Sequence, residues 1–217
     1  AQEIATLRET KAQITGKPLA EVKVNRWDQT YLEDKTRKAK FAVDQEALRK
    51  YFPSQATLDW TLNVTSKLYG VKFARADVPT WHPDVQYYDV LDENGKYLSG
   101  MYLDLYPREG KYKHAAAWPV RAVSRVIGRT PVSVLVTNFN RDGMDHREVE
   151  TLYHELGHVF HGVLSTTDYQ AHGGTSTKVD FVEAPSQMFE EWARKPEAIA
   201  LLKQSCAACP EMDAGLI

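Results

Sequence analysis

The feature that most constrains this chain is an apolar stripe of helical period that begins near residue 145. Its members recur three or four positions apart, as on one face of a helix: Val149, Leu152, Leu156, Val159 and Val163. Asp145, followed three residues later by Glu148, resembles a capping box with Asp in the role of Ser or Thr. We therefore expect an amphipathic helix over residues 146–164, with its apolar face buried against a core.

The same helix carries an H-E-x-x-H pattern, His154-Glu155-Leu156-Gly157-His158. Residues four apart project from one face of a helix, so the two imidazoles can bind one zinc ion. Zinc lowers the pKa of its bound water toward roughly 7, and a neighbouring carboxylate can then accept the proton and pass it to a leaving amine. The pattern predicts one Zn²⁺ per chain, with His154 and His158 as ligands and Glu155 as general base. Manganese or cobalt could replace zinc in such a site.

A catalytic zinc site usually has three protein ligands and one open position. His161 is a poor third ligand, because three imidazoles would have to converge from one rigid helix. We interpret His161 as a packing residue or as a hydrogen-bond partner of a ligand. Glu183, on the next helix, is the best candidate, and Glu190 and Glu191 are rivals that look more like solvated helix residues. Spacing alone does not decide among these acids.

Two other residues near the pattern have two interpretations each. Asp180 would cap the second ligand helix or accept a hydrogen bond from a ligand histidine. Gly157 suits a place where substrate or another helix comes close, and it also suits close packing alone, despite a helix penalty of about 1 kcal/mol.

The rest of the chain predicts helices, then a sheet, then helices, which is an α+β organisation. Helices are expected in three early stretches and in one long late stretch whose first turn Pro185 makes irregular: 1–24 with a break at Gly16–Pro18, 26–40, 55–69, and 181–205. A short helix is expected to begin after an N-cap at Asp44 and to stop at Phe52-Pro53. The strands are predicted at 85–91, 97–105, 112–118 and 132–138, with a hairpin at Asp92–Gly95.

These elements divide one partial catalytic domain into three segments. Residues 1–78 form a helical segment, 79–140 a small and mostly antiparallel sheet, and 145–217 the helices that carry the zinc ligands. The predicted fold is therefore α+β and predominantly helical, with the sheet beside the H-E-x-x-H helix and a second ligand helix, as in a zincin-like core.

Composition excludes several classes of partner. The hydrophobic fraction is 43% and the formal net charge is −2, so no nucleic acid or anionic membrane is indicated as a partner. No apolar run approaches the roughly 20 residues of a membrane span. The only cysteines, Cys206 and Cys209, are expected to be two free thiols at a helix end. Low cysteine use favours a cytoplasmic location, although the missing Met leaves an exported mature form open.

Several longer motifs resemble the thimet oligopeptidase family, which includes neurolysin, oligopeptidase A and bacterial peptidyl-dipeptidases. The resemblance covers most of the chain, from about Trp27 to Trp192, and is far more specific than H-E-x-x-H alone. It rests on these stretches: Trp81-His82-Pro83-Asp84-Val85, Tyr102-Leu103-Asp104-Leu105-Tyr106-Pro107-Arg108-Glu109-Gly110-Lys111, His154 to His161, Gly174-Thr175 and Asp180 to Gln187.

The resemblance implies a mostly helical fold with a small sheet beside a deep channel, and a zinc oligopeptidase that cuts short peptides. It implies Glu183 as the third zinc ligand. It also implies that Tyr112 to Ala117 lie along the substrate and pair with its backbone like an added strand. His114, Ala115 and Ala116 are the candidate substrate-binding residues, although His114 by itself is more typical of a surface histidine.

Family members are two to three times longer, and the region that binds substrate and stabilises the oxyanion is expected to lie outside this sequence. We therefore expect a fragment of a longer enzyme. The leading interpretation is a zinc endopeptidase, with a peptidyl-dipeptidase of the same family as an alternative. A metal-binding fragment without activity is the alternative of another class. The sequence indicates no oligomeric state.

Overall fold

The computed structural model describes residues 2–41, 45–207 and 209–210, which form two compact units. The first unit contains helices α1 (Gln2–Thr15) and α2 (Gln29–Phe41), joined through two short 3-10 turns at Leu19–Glu21 and Arg26–Asp28. The hydroxyl oxygens of Thr10 and Thr36 lie 2.7 Å apart between the two helices. The predicted N-cap at Asp44 lies outside the described residues.

The second unit begins at Leu48 and holds the remaining helices and the sheet. Helix α3 (Gln45–Leu48) leads into it, and α4 (Ser54–Tyr69) ends at Gly70, which has φ 66°. This left-handed C-terminal glycine confirms the predicted end of the helix over 55–69.

Among the described residues, the sheet has five strands in the order β1-β2-β3-β5-β4. They are β1 (Lys72–Arg75), β2 (Gln86–Leu91), β3 (Tyr97–Asp104), β4 (Ala116–Arg121) and β5 (Val132–Val136). All neighbours are antiparallel except β3 and β5, which run parallel. The sheet is therefore mixed, although mostly antiparallel as predicted, and β4 is an edge strand.

The sequence predictions for the strands hold for the hairpin between β2 and β3 and fail in two places. Strand β1 lies in the segment expected to be helical. The sequence does not predict it, because four residues are too few to show an alternating pattern. Strand β4 begins at Ala116 instead of residue 112, because the chain before it forms a turn around the buried Lys111 side chain.

Helix α5 (His146–Val163) confirms the predicted amphipathic helix and its cap. Asp145 accepts a hydrogen bond from the Glu148 backbone N–H at 2.8 Å, and Glu148 accepts one from the Asp145 N–H at 3.0 Å. The five residues of the predicted stripe are buried, and α5 packs against β3, β4 and β5. The segment with the strongest helical pattern in the sequence thus forms the central helix of the second unit.

The predicted long helix over 181–205 is wrong. The chain instead forms α6 (Val179–Val182), α7 (Ala184–Glu190), a 3-10 turn at Glu191–Ala193 and α8 (Pro196–Ser205). Lys195 is extended, with φ −71° and ψ 128°, because the ring of the following Pro196 disfavours the helical conformation of the residue before it. Helices make up about half of the described residues.

The core of the second unit joins its helices to one another. The Phe189 ring centroid lies 5.5 Å from that of Tyr153 and 5.6 Å from that of Phe160, which fixes α7 against α5. The indole N–H of Trp60 on α4 donates to the Ala198 carbonyl of α8 at 2.6 Å. In the part of the chain that the structure describes, no helix combines the length and the apolar character that a bilayer crossing requires.

The prediction of two free thiols is also wrong, because Cys206 and Cys209 form a disulfide. Helix α8 ends at Ser205, and the turn that follows brings the two Cα atoms to 5.4 Å, within the range that a disulfide can bridge. Disulfides persist in oxidising compartments, so low cysteine use no longer supports a cytoplasmic location.

Candidate metal centre

Helix α5 presents three chemically active side chains, His154, Glu155 and His158. The imidazole centroids lie 4.9 Å apart, as expected for residues one turn apart on a single face. Glu155 is 9% exposed. Burial raises the pKa of its carboxyl, His154 opposes that rise, and the charge of Glu183 adds to it.

Glu183 comes to the two histidines from the junction of α6 and α7. Its Oε2 lies 3.0 Å from Nε2 of His158 and 3.3 Å from Nε2 of His154. Ser186 fixes this carboxylate, because its hydroxyl donates to Oε2 at 2.8 Å. The hydrogen bond from Ser186 and, less strongly, the two imidazoles lower the pKa of Glu183.

The close approach of α7 to α5 depends on Gly157. A Cβ atom at this position would lie 2.8 Å from the Cα of Ser186 and 3.2 Å from the Cβ of Phe189. Of the interpretations open from the sequence, the structure therefore shows the approach of another helix. The absence of a side chain at Gly157 lets the Glu183 carboxylate reach the imidazoles.

The structure adds Glu190 to the site. Oε1 of this residue lies 2.5 Å from Nδ1 of His154, so Glu190 is a partner of a candidate ligand and not merely a solvated helix residue. It follows Glu183 by two helical turns, a spacing that places both acids on the same side of α7. This spacing is visible in the sequence, but it indicates a role for Glu190 only once α7 is known to pack against α5.

Two predicted neighbours of the metal ligands make no hydrogen bond to them within the described residues. Within the residues that the structure describes, Asp180 is exposed and makes no side-chain hydrogen bond, and Lys178, not Asp180, is the N-cap of α6. His161 lines a different cleft with Tyr69, Leu164 and Pro185. Burial lowers the pKa of His161, and its Nδ1 has no partner among the described residues.

The arrangement of His154, His158 and Glu183 fits a divalent metal. One ligand atom from each residue lies within 4.8 Å of the others, and two imidazole nitrogens with one carboxylate oxygen are a donor set that zinc prefers. Burial lowers the pKa of His158 against the opposing charge of Glu183. A neutral imidazole and an ionised carboxylate are the forms that bind a metal, and both pKa shifts favour them.

A cleft runs beside His158 and edge strand β4. Its lining comes from β4 and the segment after it, β5, α5 and the glycine-rich loop: Ala117, Trp118, Pro119, Ala122, Val123, Ser133, His158, Gly162 and Gly173–Ser176. The residues predicted to bind substrate lie at the start of this strand. His114 is exposed, Ala115 and Ala116 are half-buried, and the lining of the cleft begins at the next residue.

An H-E-x-x-H helix that meets a carboxylate from a second helix is the arrangement of a metallopeptidase. Comparison with known proteins agrees: the chain belongs to peptidase family M3, whose model matches residues 1–212. The resemblance to the thimet oligopeptidase family is thereby confirmed.

Named relatives from several organisms support this assignment. The thimet-like oligopeptidase of Dictyostelium discoideum is 38% identical over 70% of this chain and 24% of its own length. For oligopeptidase A of Escherichia coli the identity is 36%, over 81% of this chain and 28% of the relative. For dipeptidyl carboxypeptidase of Escherichia coli it is 35%, over 85% and 29%. The chain thus spans under a third of the length of these relatives.

Proposed function

We propose that this protein is a zinc-dependent peptidase that hydrolyses short peptides. His154, His158 and Glu183 would hold the metal, and Glu155 would act as general base. The convergence of two imidazole Nε2 atoms on one carboxylate oxygen carries the proposal. Membership of peptidase family M3 supports it independently.

When bound, the metal supplies Lewis acidity, which lowers the pKa of a water and polarises a peptide carbonyl. Glu155 accepts a proton from the attacking water and delivers it to the leaving amine nitrogen. The raised pKa of Glu155 suits both halves of this transfer, because a general base works best when its pKa lies near the working pH.

Glu190 orients His154 in this proposal. A carboxylate at Nδ1 holds the proton on that nitrogen and leaves the Nε2 lone pair for the metal. The same contact fixes the plane of the ring, so that the open side of the site stays free for substrate.

The substrate would bind along β4. Within the part of the chain that the structure describes, this strand pairs with β5 on one edge only, so its other edge can pair with the backbone of an extended peptide. Ala115 and Ala116 would pair with the substrate where β4 begins, and His114 would lie just before them, at the N-terminal end of this contact. Backbone pairing suits substrates of varied sequence, because the hydrogen bonds do not depend on side chains.

An assay with an internally quenched fluorescent peptide tests the proposal. In Glu155→Gln, hydrolysis should fall by about 10²–10⁴-fold, while zinc content stays at the wild-type level. Glu191→Gln, which changes an exposed acid in the same way, should retain activity. An undiminished rate in Glu155→Gln would remove that residue from the mechanism.

Product analysis by mass spectrometry separates the two modes of cleavage. Internal cuts support the endopeptidase, and release of C-terminal dipeptides supports the mode that the name of the dipeptidyl carboxypeptidase relative describes. A wild-type chain that binds zinc but cuts no peptide would instead favour a metal-binding chain without activity.

A further inference from the structure

A buried ion cluster formed by Asp104, Arg108 and Lys111 lies at the end of β3. The side chains of Asp104 and Lys111 are each only 2% exposed. Arg108 donates to both carboxylate oxygens of Asp104, at 2.7 and 2.8 Å, and the Trp81 indole N–H donates to Oδ2 at 2.9 Å. Nζ of Lys111 lies 2.8 Å from Oδ1.

The surroundings of Lys111 satisfy its buried charge. Besides the carboxylate, its ammonium donates to the backbone carbonyls of Asp104 at 2.8 Å and Tyr106 at 2.6 Å. These three acceptors match the three donors of an ammonium group. Burial alone would raise the pKa of Asp104, but hydrogen bonds from Arg108, Lys111 and Trp81 outweigh it and hold that pKa at about 2.

The position of this cluster in the sheet suggests what it does. Asp104, the last residue of β3, and Ala116, the first residue of β4, both pair with Val136 of β5. The chain therefore leaves the sheet at Asp104, on one side of Val136, and re-enters it at Ala116, on the other side of Val136. Lys111 ties the connecting segment 105–115 to its starting point.

The register of β4 depends on the number of residues that lie between Asp104 and the first residue of β4 that pairs with β5. A slip of one residue would turn every side chain of the strand to the opposite face. Ala117 and Trp118 would then exchange faces beside the cleft that His158 lines. A buried ion pair is weak evidence for stability, and fixing a register is among its best-attested uses.

We propose that the pair Asp104–Lys111 positions edge strand β4 by fixing its register, and thereby sets the place of the substrate backbone relative to the metal centre. This proposal rests on the proposed function only in that substrate pairs with β4. Neither residue touches the metal ligands, so both would be positioning residues that act through the strand.

The experiment removes the two fully buried charges together, because loss of either one would leave the other buried and unpaired. The Arg108 side chain is 23% exposed, so its guanidinium keeps access to water when Asp104 is replaced. In Asp104→Leu with Lys111→Met, hydrogen exchange of the amides in 116–121 should accelerate at least about tenfold as the strand loosens, with no change in α5. Zinc content should stay at the wild-type level. KM for a quenched peptide should rise about tenfold, while kcat changes less than about threefold, as for lost ground-state binding.

The matched control replaces the acid and the base of an exposed ion pair by the same apolar residues, as Asp168→Leu with Arg125→Met. Those side chains are 53% and 64% exposed, and the control should leave exchange in 116–121, KM and kcat unchanged. Unchanged exchange in a folded cluster variant would overturn the proposal. A fall in kcat or zinc content at unchanged KM would overturn it as well.

A second variant and a readout that does not need activity cover the two cases in which the double variant cannot be assayed. If the double variant does not fold, Asp104→Asn with Lys111→Met removes both buried charges while keeping the size of the Asp104 side chain, and should still accelerate exchange in 116–121 selectively. If the wild type hydrolyses no peptide, the proposed function fails, but the exchange measurement still decides whether the cluster fixes the strand.

Discussion

Oε1 of Glu190 lies 2.5 Å from Nδ1 of His154, on the side of the imidazole away from Glu183. This contact links two packed helices through one ring, and it holds the ring before any metal is present. It also separates two neighbouring acids, because Glu191 is exposed while Glu190 is half-buried against the site.

Glu190→Gln should weaken zinc binding by about 10–100-fold, the usual cost of losing the carboxylate partner of a metal-binding histidine. Titration with a competing chelator measures the change. Glu191→Gln is the matched control and should bind zinc like the wild type. Equal affinities in the two variants would show that Glu190 does not support His154.

Gly157→Ala should separate α7 from α5. The added Cβ would lie 2.8 Å from backbone Cα of Ser186, so overpacking of about 1–3 kcal/mol should exceed the gain in helix propensity of about 1 kcal/mol. Urea unfolding of the metal-free protein measures the stability, and zinc affinity should fall with it.

Gly162→Ala on the same helix is the control for that substitution. Its Cβ would meet only the Ser133 hydroxyl, at 2.8 Å, and a hydroxyl can rotate away. A larger loss of zinc affinity at Gly162 than at Gly157 would contradict the account of the helix contact.

Acid should destabilise the fold through Asp104. The pKa of its carboxyl is held at about 2 in the folded protein, below the ordinary value of 3.8, so its contribution to stability is present above pH 4 and is lost as the pH falls toward 2. The shift corresponds to about 2 kcal/mol. Urea unfolding between pH 5 and pH 2 should show this loss in the wild type. In Asp104→Asn, which has no carboxyl to protonate there, that part of the pH dependence should disappear.

The disulfide predicts a result from thiol counting. Alkylation of the denatured protein should label no cysteine before reduction and both Cys206 and Cys209 after it. Its loop is short, so reduction should cost at most about 2 kcal/mol by the loop-entropy relation. Reductant should not change the stability of a Cys206→Ser, Cys209→Ser variant. Labelling of both thiols before reduction would restore the original prediction of free cysteines.

Local signals in the sequence predicted the elements whose stability is set locally. Helix α5 has its own cap and apolar stripe, and the hairpin at Asp92–Gly95 has its own turn residues. The role of Glu190 was not predictable in this way, because it depends on where α7 crosses α5. The start of β4 depends on the buried Lys111, whose three acceptors come from the fold and not from any periodic pattern.

The residues of the candidate site also differ in whether local sequence or tertiary packing determines their position. The spacing of His154 and His158 needed only the geometry of one helix, and the structure brings Glu183 to them as the family resemblance implied. For His161 and Asp180 the sequence leaves two interpretations each. His161 lines the cleft with Tyr69, Leu164 and Pro185, in keeping with a packing residue, and Asp180 is exposed. Which faces of α5 and α6 point toward α7 is a tertiary property.

The most direct test of the account is the zinc content of the purified chain, measured by elemental analysis in the wild type and in Glu183→Ala, with Asp180→Ala as the exposed neighbouring control. We predict about one zinc per chain in the wild type and in Asp180→Ala, as expected for a three-ligand site, and little or none in Glu183→Ala. Full zinc occupancy in Glu183→Ala, or none in a wild-type chain supplied with zinc, would contradict the proposed metal centre.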